Sequence, residues 1–448
     1  MKKKKEMMNI IHPNSAGIDI GSKSHFVAVG QKEDQIKEFG IYSSDYKRIV
    51  SYLKENKITT VAMESTGSYW QTLFFKLQES GFEVILVSGH QTKNLRAKTD
   101  VKDAQWIQKL HSLGLLRGCF LPNEQTNRLR IIHRHRSSLI EESSKMVNKM
   151  QKALRLMNLR LDVVLSDITG KSGMAIINAI VELGVRDGAN LSKLADNRVK
   201  KSKKEIADAL QGQWSEEYLY ELKDCLEIYE ILQDKIKKCD NQLEQLLLEF
   251  TKESNNSVEE IELTKKQTKG KNQPKFNLTE LSYKLYGVDL FAIEGVSVGT
   301  VLTLITEIGT GIYKFNTAKQ FASFLRLAPN NRVSGGKVIS SRTPKGSNRL
   351  SLALRNAANT IDRKKEGNLM HFFKRIAYKK GRAAAITATA RKLSIIIWNM
   401  IVKQVEYNPI PDEDYKLILK QRAIKSIQHR MKKLNITNTE ISESYNIS

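Results

Sequence analysis

Hydrophobic and polar residues follow two different periodicities along the chain. Over the first 120 residues, short apolar runs bounded by turn residues predict five strands, and apolar residues at intervals of three and four predict helices. The strand segments are AGIDIG, HFVAVG, QIKEFGIY, TTVAMES and EVILVS, and the helical segments are DYKRIVSYLKEN, YWQTLFFKLQESG and DVKDAQWIQKLHSLG. This alternation predicts an α/β domain, and a long basic helical stretch follows from Glu124 to about Leu161.

The most regular periodicity in the chain is a heptad seam with charged residues between its members. Its positions alternate at spacings of four and three: Tyr218, Leu222, Cys225, Tyr229, Leu232, Ile236, Cys239, Leu243, Leu246 and Phe250. The seam predicts a coiled coil, whose partner is either the earlier long helix or another subunit. A repeat of this length favours a homo-oligomer, a dimer or a tetramer, and the two seam cysteines are expected to be packing residues.

Charge narrows the choice of partners. The chain of 448 residues has 73 Lys and Arg against 48 Asp and Glu, a net charge of +25, which favours nucleic acid first and an anionic membrane second. The absence of an uncharged apolar run of about 20 residues disfavours a membrane protein. The basic N-terminus does not have the pattern of a secretion signal, and three cysteines fit neither disulfides nor a zinc site. We therefore expect a cytoplasmic, nucleoid-associated protein.

The positive charge is concentrated towards the C-terminus. Residues 326–392 contain 17 Lys and Arg and two acids, a local net charge of +15. Residues 253–277 are polar and aperiodic, which is typical of a linker. The predicted division is an α/β domain at 1–125, a helical coiled-coil region at 126–252, the linker, a mainly α-helical basic domain at 278–405, and a tail at 406–448 to which we assign no function.

Four acids of the first domain are candidates for a metal site. Asp19 lies within the first strand, Glu64 ends the fourth, and Asp100 and Asp103 begin a helix and share one face of it. If that helix crosses the strand ends, the four carboxylates converge and call for hard divalent cations. Taken alone, the pair Asp100 and Asp103 is more simply explained as first-turn helix chemistry.

The same four acids, in this order of strands and helix, favour an RNase H-like nuclease core. A rival within the same fold is the phosphate hairpin of actin-like ATPases and sugar kinases, which GIDIGSKSHFVAVG also resembles. That alternative requires a second, similar domain with its own phosphate loop, and the sequence contains none that we can identify.

Two segments of the basic domain are candidates for binding DNA. FAIEGVSVGTVLTLITEIG is similar to a helix-hairpin-helix, although Ser297 replaces a glycine and a packing hairpin fits equally well. The loop NNRVSGGKVISSRTPKGSNR places Ser334 before two glycines, where it could act as a nucleophile, although such a loop is usually only a turn. Its cations are expected to bind phosphates: Arg332, Lys337, Arg342, Lys345 and Arg349.

Taken together, GIDIGSKSHFVAVG, AMESTGSYW, KNLRAKTDVKDA and LRLAPNNRVSGGK with PKGSNRLSLALRNAA resemble the DEDD transposases of the insertion sequence one-hundred-and-ten family. The resemblance covers residues 14 to about 165 and about 285 to 400. It implies an RNase H-like (RuvC-like) DEDD domain, a coiled-coil middle and a C-terminal serine transposase domain. By motif position, it implies Mg²⁺ or Mn²⁺ on Asp19, Glu64, Asp100 and Asp103, and Ser334 as the nucleophile. It also implies DNA substrates and a structured noncoding guide (bridge) RNA.

The leading hypothesis is therefore an RNA-guided DNA transposase that forms a covalent serine–DNA intermediate. Because a serine hydroxyl is a weak nucleophile and no base is obvious near Ser334 in sequence, the acids are expected to complete a composite site, which subunits could share. One alternative is a metal-dependent resolvase of the Holliday-junction type, in which the four acids act with water. The other is a basic nucleic-acid-binding scaffold without enzymatic activity.

Overall fold

A computed structural model describes residues 9–92, 99–252, 254, 256, 262–264, 270–364 and 366–435. The motif segment 93–98, most of the predicted linker and the end of the predicted tail lie outside these residues. The chain divides into two compact units, Met1–Leu121 and Pro122–Ser448.

The first unit is a mixed α/β sheet domain, and every strand predicted from the sequence is present. The strands are β1 (Ser15–Ile20), β2 (His25–Ala28), β3 (Ile36–Phe39), β4 (Thr60–Glu64) and β5 (Glu83–Val87). The helices are α1 (Ser43–Glu55), α2 (Trp70–Glu79), α3 (Gly89–Thr92) and α4 (Asp100–Ser112). The sheet order is β3-β2-β1-β4-β5, in which β2 is antiparallel to β1 and β3 while β4 is parallel to β1 and β5.

One face of this sheet forms the main hydrophobic core of the unit. Ile18 of β1 and Met63 of β4 are fully buried there, together with Ile49 of α1 and Leu73 of α2. Because side chains alternate along a strand, the neighbours of Ile18 and Met63 point to the opposite face. That opposite face is covered by α4, which contacts β1, β2 and β4.

The second unit is largely helical. Its helices are α5 (Glu124–Leu156), α6 (Leu161–Val164), α7 (Lys171–Val181), α8 (Gly188–Lys193), α9 (Lys203–Ala209), α10 (Glu216–Thr251), α11 (Leu278–Tyr286), α12 (Val298–Glu307), α13 (Ala318–Phe324), α14 (Arg349–Ile361), α15 (Asn368–Lys380), α16 (Arg382–Lys403) and α17 (Asp412–Leu434). Two short strands, β6 (Arg332–Ser334) and β7 (Lys337–Ser340), form a separate hairpin.

The two longest helices, α5 and α10, pack along each other within this unit. Gln233 donates a hydrogen bond to Ser143, and Arg136 pairs with Asp240, so the helices run antiparallel. All ten positions of the heptad seam of α10 are buried or half-buried. The predicted long helix and its apolar face are therefore present, and the helix that covers this face belongs to the same chain.

The C-terminal helices pack around α16, which contacts α13, α14 and α15. By length and composition alone α16 could cross a membrane, with a mean hydropathy of 1.3. Half of that window is buried inside the fold, which is the pattern of a core helix in a water-soluble domain. Arg391 and Lys392 lie in the middle of α16, so the expectation that the chain has no uncharged apolar run of about 20 residues is not contradicted.

The predicted helix-hairpin-helix is only partly present. Before the turn there is a single 3-10 turn, Leu290–Ala292, rather than a helix. Gly295 has φ of +78°, and a Cβ on it would lie 2.8 Å from the carbonyl oxygen of Ala357 in α14. Ser297 caps α12 by accepting a hydrogen bond from the Thr300 amide. This geometry supports the packing interpretation of the segment.

Candidate active site

The first two candidate acids are neighbours across β1 and β4. These strands are parallel and place Ile18 opposite Met63. One residue further in the same register, Asp19 lies beside Glu64. Because Ile18 and Met63 point into the core, both carboxylates point to the face that α4 covers, as the alternation of the sequence predicts.

The other two acids are carried to this face by α4. The helix approaches β1 closely because residue 17 is a glycine: a Cβ there would lie 2.2 Å from the Gln108 amide nitrogen and 2.6 Å from the Ala104 carbonyl oxygen. Asp100 and Asp103 lie in the first turn. The Thr99 hydroxyl caps the helix by accepting a hydrogen bond from the Lys102 amide at 3.4 Å, so neither aspartate is needed as the cap.

The electrostatics at Asp19 connect all four acids. The pKa of Asp19 is raised to about 6, first by burial of the half-buried carboxyl and then by the negative charges of Glu64, Asp103 and Asp100. A half-buried acid repelled by three others is costly unless a cation or a proton compensates it. The other three acids therefore add negative charge to the surroundings of Asp19.

Glu64 has a partner that sequence reasoning missed. The hydroxyl of Thr92, which is buried at the end of α3, donates a hydrogen bond to Glu64 Oε2. Gly89 starts α3, and a Cβ on it would lie 2.6 Å from Glu64 Oε1. The strand-to-helix connection after β5 thus holds this carboxylate in place. The Ser-Gly-His segment after a predicted strand was the available signal.

The donor set tests whether a divalent metal fits this site. All four groups are carboxylates, the hard oxygen ligands that Mg²⁺ and Mn²⁺ prefer, and their mutual repulsion favours a cation. Among the described residues, no group of three or more His, Cys, Asp or Glu is already close enough to hold a metal ion. The donor chemistry fits the metal, and ligation requires these side chains to draw together around it.

Ser334 lies on a β-hairpin rather than in the irregular loop that the sequence interpretation assigned to it. It is the last residue of β6, opposite Lys337 of β7, and Gly335 and Gly336 form a two-residue turn with φ of +54° and +74°. Positive φ at both turn positions matches the right-handed twist of a hairpin and favours glycine. Residues 332–339 are all exposed, so Ser334 is open to solvent.

All five candidate phosphate-binding cations are exposed on this hairpin and the segment after it: Arg332, Lys337, Arg342, Lys345 and Arg349. The base of the segment is fixed, because the Asn330 amide donates to the Arg342 carbonyl at 3.0 Å and Arg326 donates to the Lys345 carbonyl. The structure thus presents the cations on an anchored, solvent-facing ribbon.

A cluster of arginines around Glu307 was not predicted. Glu307, which ends α12, is buried and accepts two hydrogen bonds from Arg134 of α5, at 2.9 and 2.7 Å. Arg130 donates to the Glu307 carbonyl at 2.6 Å, and Arg349 lies 3.9 Å from its carboxylate. Three guanidinium groups share one carboxylate, which leaves an excess of positive charge beside the start of α14. Arg130 and Arg134, four residues apart on a basic helix, were the only sequence signal.

Comparison with protein families is consistent with this arrangement. A family model described as transposase matches residues 16–159, which include the sheet and the four acids. A second, described as transposase IS116/IS110/IS902 family, matches residues 289–374, which include the serine hairpin. No curated protein matches the chain.

The two matched segments, together just over half of the chain, define a transposase. The chain belongs to the IS110 family of transposases, as the resemblance in its motifs indicated.

Proposed function

We propose that this transposase cuts and rejoins DNA through a covalent intermediate on Ser334, with Asp19, Glu64, Asp100 and Asp103 as a metal-binding half-site. The observation that carries the proposal is the parallel register of β1 and β4, which sets Asp19 beside Glu64 on the face that α4 covers, and the raised pKa of Asp19 agrees with it. The family membership supplies the reaction class, and the exposed serine supplies a nucleophile that a DNA strand can reach.

The order of the sheet supports an RNase H-like (RuvC-like) core. The sheet has three antiparallel strands, β3, β2 and β1, followed by two strands parallel to β1, and α4 covers its acidic face. Asp19 lies on the central strand β1, and Glu64 lies on its parallel neighbour β4. The antiparallel pairing of α5 with α10 supports the coiled-coil middle.

The proposed serine step exchanges one phosphodiester for another. Ser334 Oγ loses its proton to a base and bonds to phosphorus, the bond from phosphorus to the 3′ oxygen breaks, and that oxygen takes up a proton. The products are a phosphodiester that joins the serine to the 5′ oxygen of the downstream nucleotide, and a free 3′ hydroxyl on the upstream nucleotide. Because the number of phosphodiester bonds is unchanged, rejoining by the reverse step requires no ATP.

Each half of the proposed site has its own task. The four carboxylates would hold a divalent ion, which would supply Lewis acidity for phosphoryl transfer. Gly335 and Gly336 let a backbone approach the hairpin, and Lys337 opposite Ser334 attracts the phosphate. The acids belong to the first unit and the serine to the second, so the proposal requires both units, from one chain or from two.

The cationic surface supports further partners. A net charge of +15 over residues 326–392 is suited to DNA at the hairpin, and the remaining excess is available to a structured guide RNA. If a guide RNA recognises the DNA sequence by base pairing, the protein needs mainly contacts with the phosphate backbone of the nucleic acids. The exposed Lys and Arg side chains provide such contacts.

The proposal is tested by incubating the full chain with Mg²⁺, the ends of its element and the flanking transcript, and by looking for a protein–DNA adduct that survives denaturant. Ser334→Ala should abolish the adduct and strand cleavage, whereas Ser341→Ala, an exposed serine outside the hairpin strands, should leave both intact. Asp19→Asn and Asp103→Asn should abolish adduct formation without abolishing DNA binding.

The alternatives predict different results in the same assay. Cleavage that survives Ser334→Ala but not Asp19→Asn would replace the serine mechanism with a metal-dependent resolvase that uses water. Binding without any cleavage by the intact protein, under conditions that support transposition in cells, would indicate a scaffold. Both results would contradict the serine proposal.

A further inference from the structure

The last described helix, α17, has an apolar face that the other described residues of its chain do not cover. The helix is anchored near its start, where Tyr415 is buried and stacks on His371 at a ring distance of 5.0 Å. Beyond that turn, every residue from 420 to 430 is exposed. Four large apolar side chains are open to water, with exposures of 58% for Leu417, 45% for Ile424, 56% for Ile427 and 68% for Leu434.

These exposed residues follow a heptad pattern. Positions at alternating spacings of three and four are Leu417, Lys420, Ile424, Ile427, Met431 and Leu434. The large apolar residues off this stripe, Ile418 and Leu419, are half-buried against the chain. Five of the six stripe residues are thus exposed and Met431 is half-buried, a pattern expected of one side of a two-helix seam.

We propose that α17 pairs with α17 of a second copy of this chain as an antiparallel two-helix coiled coil. A two-fold axis between residues 425 and 426 places Leu417 opposite Leu434 and Ile424 opposite Ile427. The same alignment places Lys420 opposite Met431, where its aliphatic stem can pack while its charge reaches water. All six seam positions are then covered with one relative placement of the helices.

Charge decides the direction of the pair. In a parallel pair, Lys420 would face its own copy in the seam, whereas the antiparallel alignment separates the two by 11 residues along the axis, about 16 Å at the rise of an α-helix. The acidic first turn, which contains Glu413 and Asp414, also comes towards the cationic last turn of the second copy, which contains Lys432 and Lys433. Both effects favour the antiparallel arrangement.

The positions flanking the seam permit self-association despite a strongly basic helix. Residues 415–435 contain seven Lys and Arg and no acid, which argues against pairing if the cations bordered the seam. Four of the seven lie on the outer face: Arg422, Lys425, Lys432 and Lys433. Of the positions flanking the seam, 416 and 430 hold Lys and Arg, while 421, 423 and 428 hold Gln, Ala and Gln. The outer cations would then remain free.

The long helix α10 is a poorer candidate for the same role. Its heptad seam is packed against α5 of its own chain, so a second copy could reach it only if that pairing opened. The seam of α17 requires no such rearrangement. This moves the expected contact between subunits from α10 to the C-terminal helix.

The proposal is tested by sedimentation velocity of the full chain over a range of concentrations. Ile427→Asp should weaken self-association at least tenfold, whereas Ser426→Asp, the exposed neighbour off the seam, should leave it unchanged. Lys420→Leu should tighten it, because it replaces the only charged seam residue. Circular dichroism melts verify that each variant is folded. Equal self-association of the Ile427→Asp and parent chains would overturn the proposal.

Cross-linking tests the direction and separates the rival occupants. In a Cys119→Ser background, which removes the exposed native thiol, chains with Leu417→Cys should form a disulfide with chains carrying Leu434→Cys and not with one another. A disulfide between two Leu417→Cys chains would indicate a parallel pair instead. If Ile427→Asp reduces binding to phosphatidylserine vesicles and leaves self-association intact, the face binds lipid and the proposal is wrong.

Discussion

Arg136 and Asp240 form an ion pair almost completely withdrawn from water, with Nε 2.5 Å from Oδ1 and side-chain exposures of 4% and 6%. The pair joins α5 to α10, and Arg136 also donates to the Asn272 carbonyl at 3.0 Å. Removing one partner leaves a buried charge alone, so Asp240→Ala should destabilise the second unit by about 3–5 kcal/mol.

The control for this prediction is the exposed pair Arg128 and Glu249 on the same two helices. Glu249→Ala should change stability by less than about 1 kcal/mol. The double change Arg136→Met with Asp240→Leu should recover most of the loss, because it removes both charges. Urea unfolding followed by circular dichroism measures all of these, and an unrecovered double variant would contradict the electrostatic explanation.

Gly17→Ala should loosen the helix that carries two of the acids. The added Cβ would meet the backbone of α4 at 2.2 Å, and backbone cannot move aside as a side chain can. We expect a destabilisation of about 1–3 kcal/mol in the first unit. Unfolding of this unit is measured by the fluorescence of Trp70 and Trp106. The changes Trp214→Phe and Trp398→Phe remove the two tryptophans of the second unit. Gly118→Ala, where a Cβ makes only ordinary contacts with Ile85, should be tolerated.

In an Asp19→Asn background, which removes the opposite contribution of Asp19 over the same pH range, acid should destabilise the first unit through His111. This buried histidine is 3.0 Å from Thr60 Oγ1, and burial, together with the charge of His12, lowers its pKa from 6.5 to about 4. Between these values the unfolded chain binds the proton and the folded chain does not, so stability falls as the pH falls from 6.5 to 4. The slope is about 1.4 kcal/mol per pH unit at most.

His111→Gln should flatten this pH dependence in urea unfolding monitored by the same tryptophans. His135→Gln, a change at an exposed histidine of α5, should not alter it. An unchanged slope in His111→Gln would show that another group is responsible.

Asp19→Asn should abolish DNA cleavage and increase the stability of the first unit. The raised pKa of Asp19 means that its ionised form is disfavoured in the folded state, and this cost grows as the pH rises from 3.8 to 6 and is complete at pH 7. The amide removes a charge that is costly because the carboxyl is half-buried and because three acids repel it, so the first unit should gain about 1–2 kcal/mol at pH 7 and little at pH 4. A variant that loses both cleavage and stability would show that Asp19 has a structural role.

Lys337 and Arg342 should act through charge alone. Replacing either with Ala should weaken DNA binding to all sequences and lower the slope of log K against log salt by about 1. Lys337→Arg retains the charge and should retain the slope. Fluorescence anisotropy with two unrelated duplexes measures this, and a loss confined to one duplex would indicate base recognition instead.

Patterns local in sequence were predictable, and contacts distant in sequence were not. The ten seam residues of α10 predict a buried face because the heptad repeat lies within one helix. The helix that covers this face cannot be identified in the same way, because its contacting residues lie about 90 positions away in the sequence. Asp19 and Glu64 could be placed in strands, while their adjacency follows from a register that only pairing sets.

Other features had a signal that needed a different interpretation. The segment RVSGGKVIS contains a Gly-Gly pair between alternating residues, the signature of a tight hairpin, although its cations suggested a flexible loop. The cluster around Glu307 joins residues 173 or more positions from Arg130 and Arg134, so spacing could not reveal it. Thr92, the buried partner of Glu64, lies 28 positions away, and the Ser-Gly-His segment after β5 was its only sequence signal.

The Gly335–Gly336 turn has open surroundings, which bear on how bulk water would be excluded from a reaction at Ser334. A Cβ on either glycine would meet no atom within 4 Å, and the strands beside them are exposed. Most active sites exclude bulk water with walls of their own polypeptide. Among the described residues of its own unit, the hairpin tip has no such walls, so on the proposed mechanism the enclosure would come from the nucleic acid or from another polypeptide segment. If Ser334 is the nucleophile, as proposed, the protein at rest carries it uncovered, and assembly with DNA is the step that closes the site.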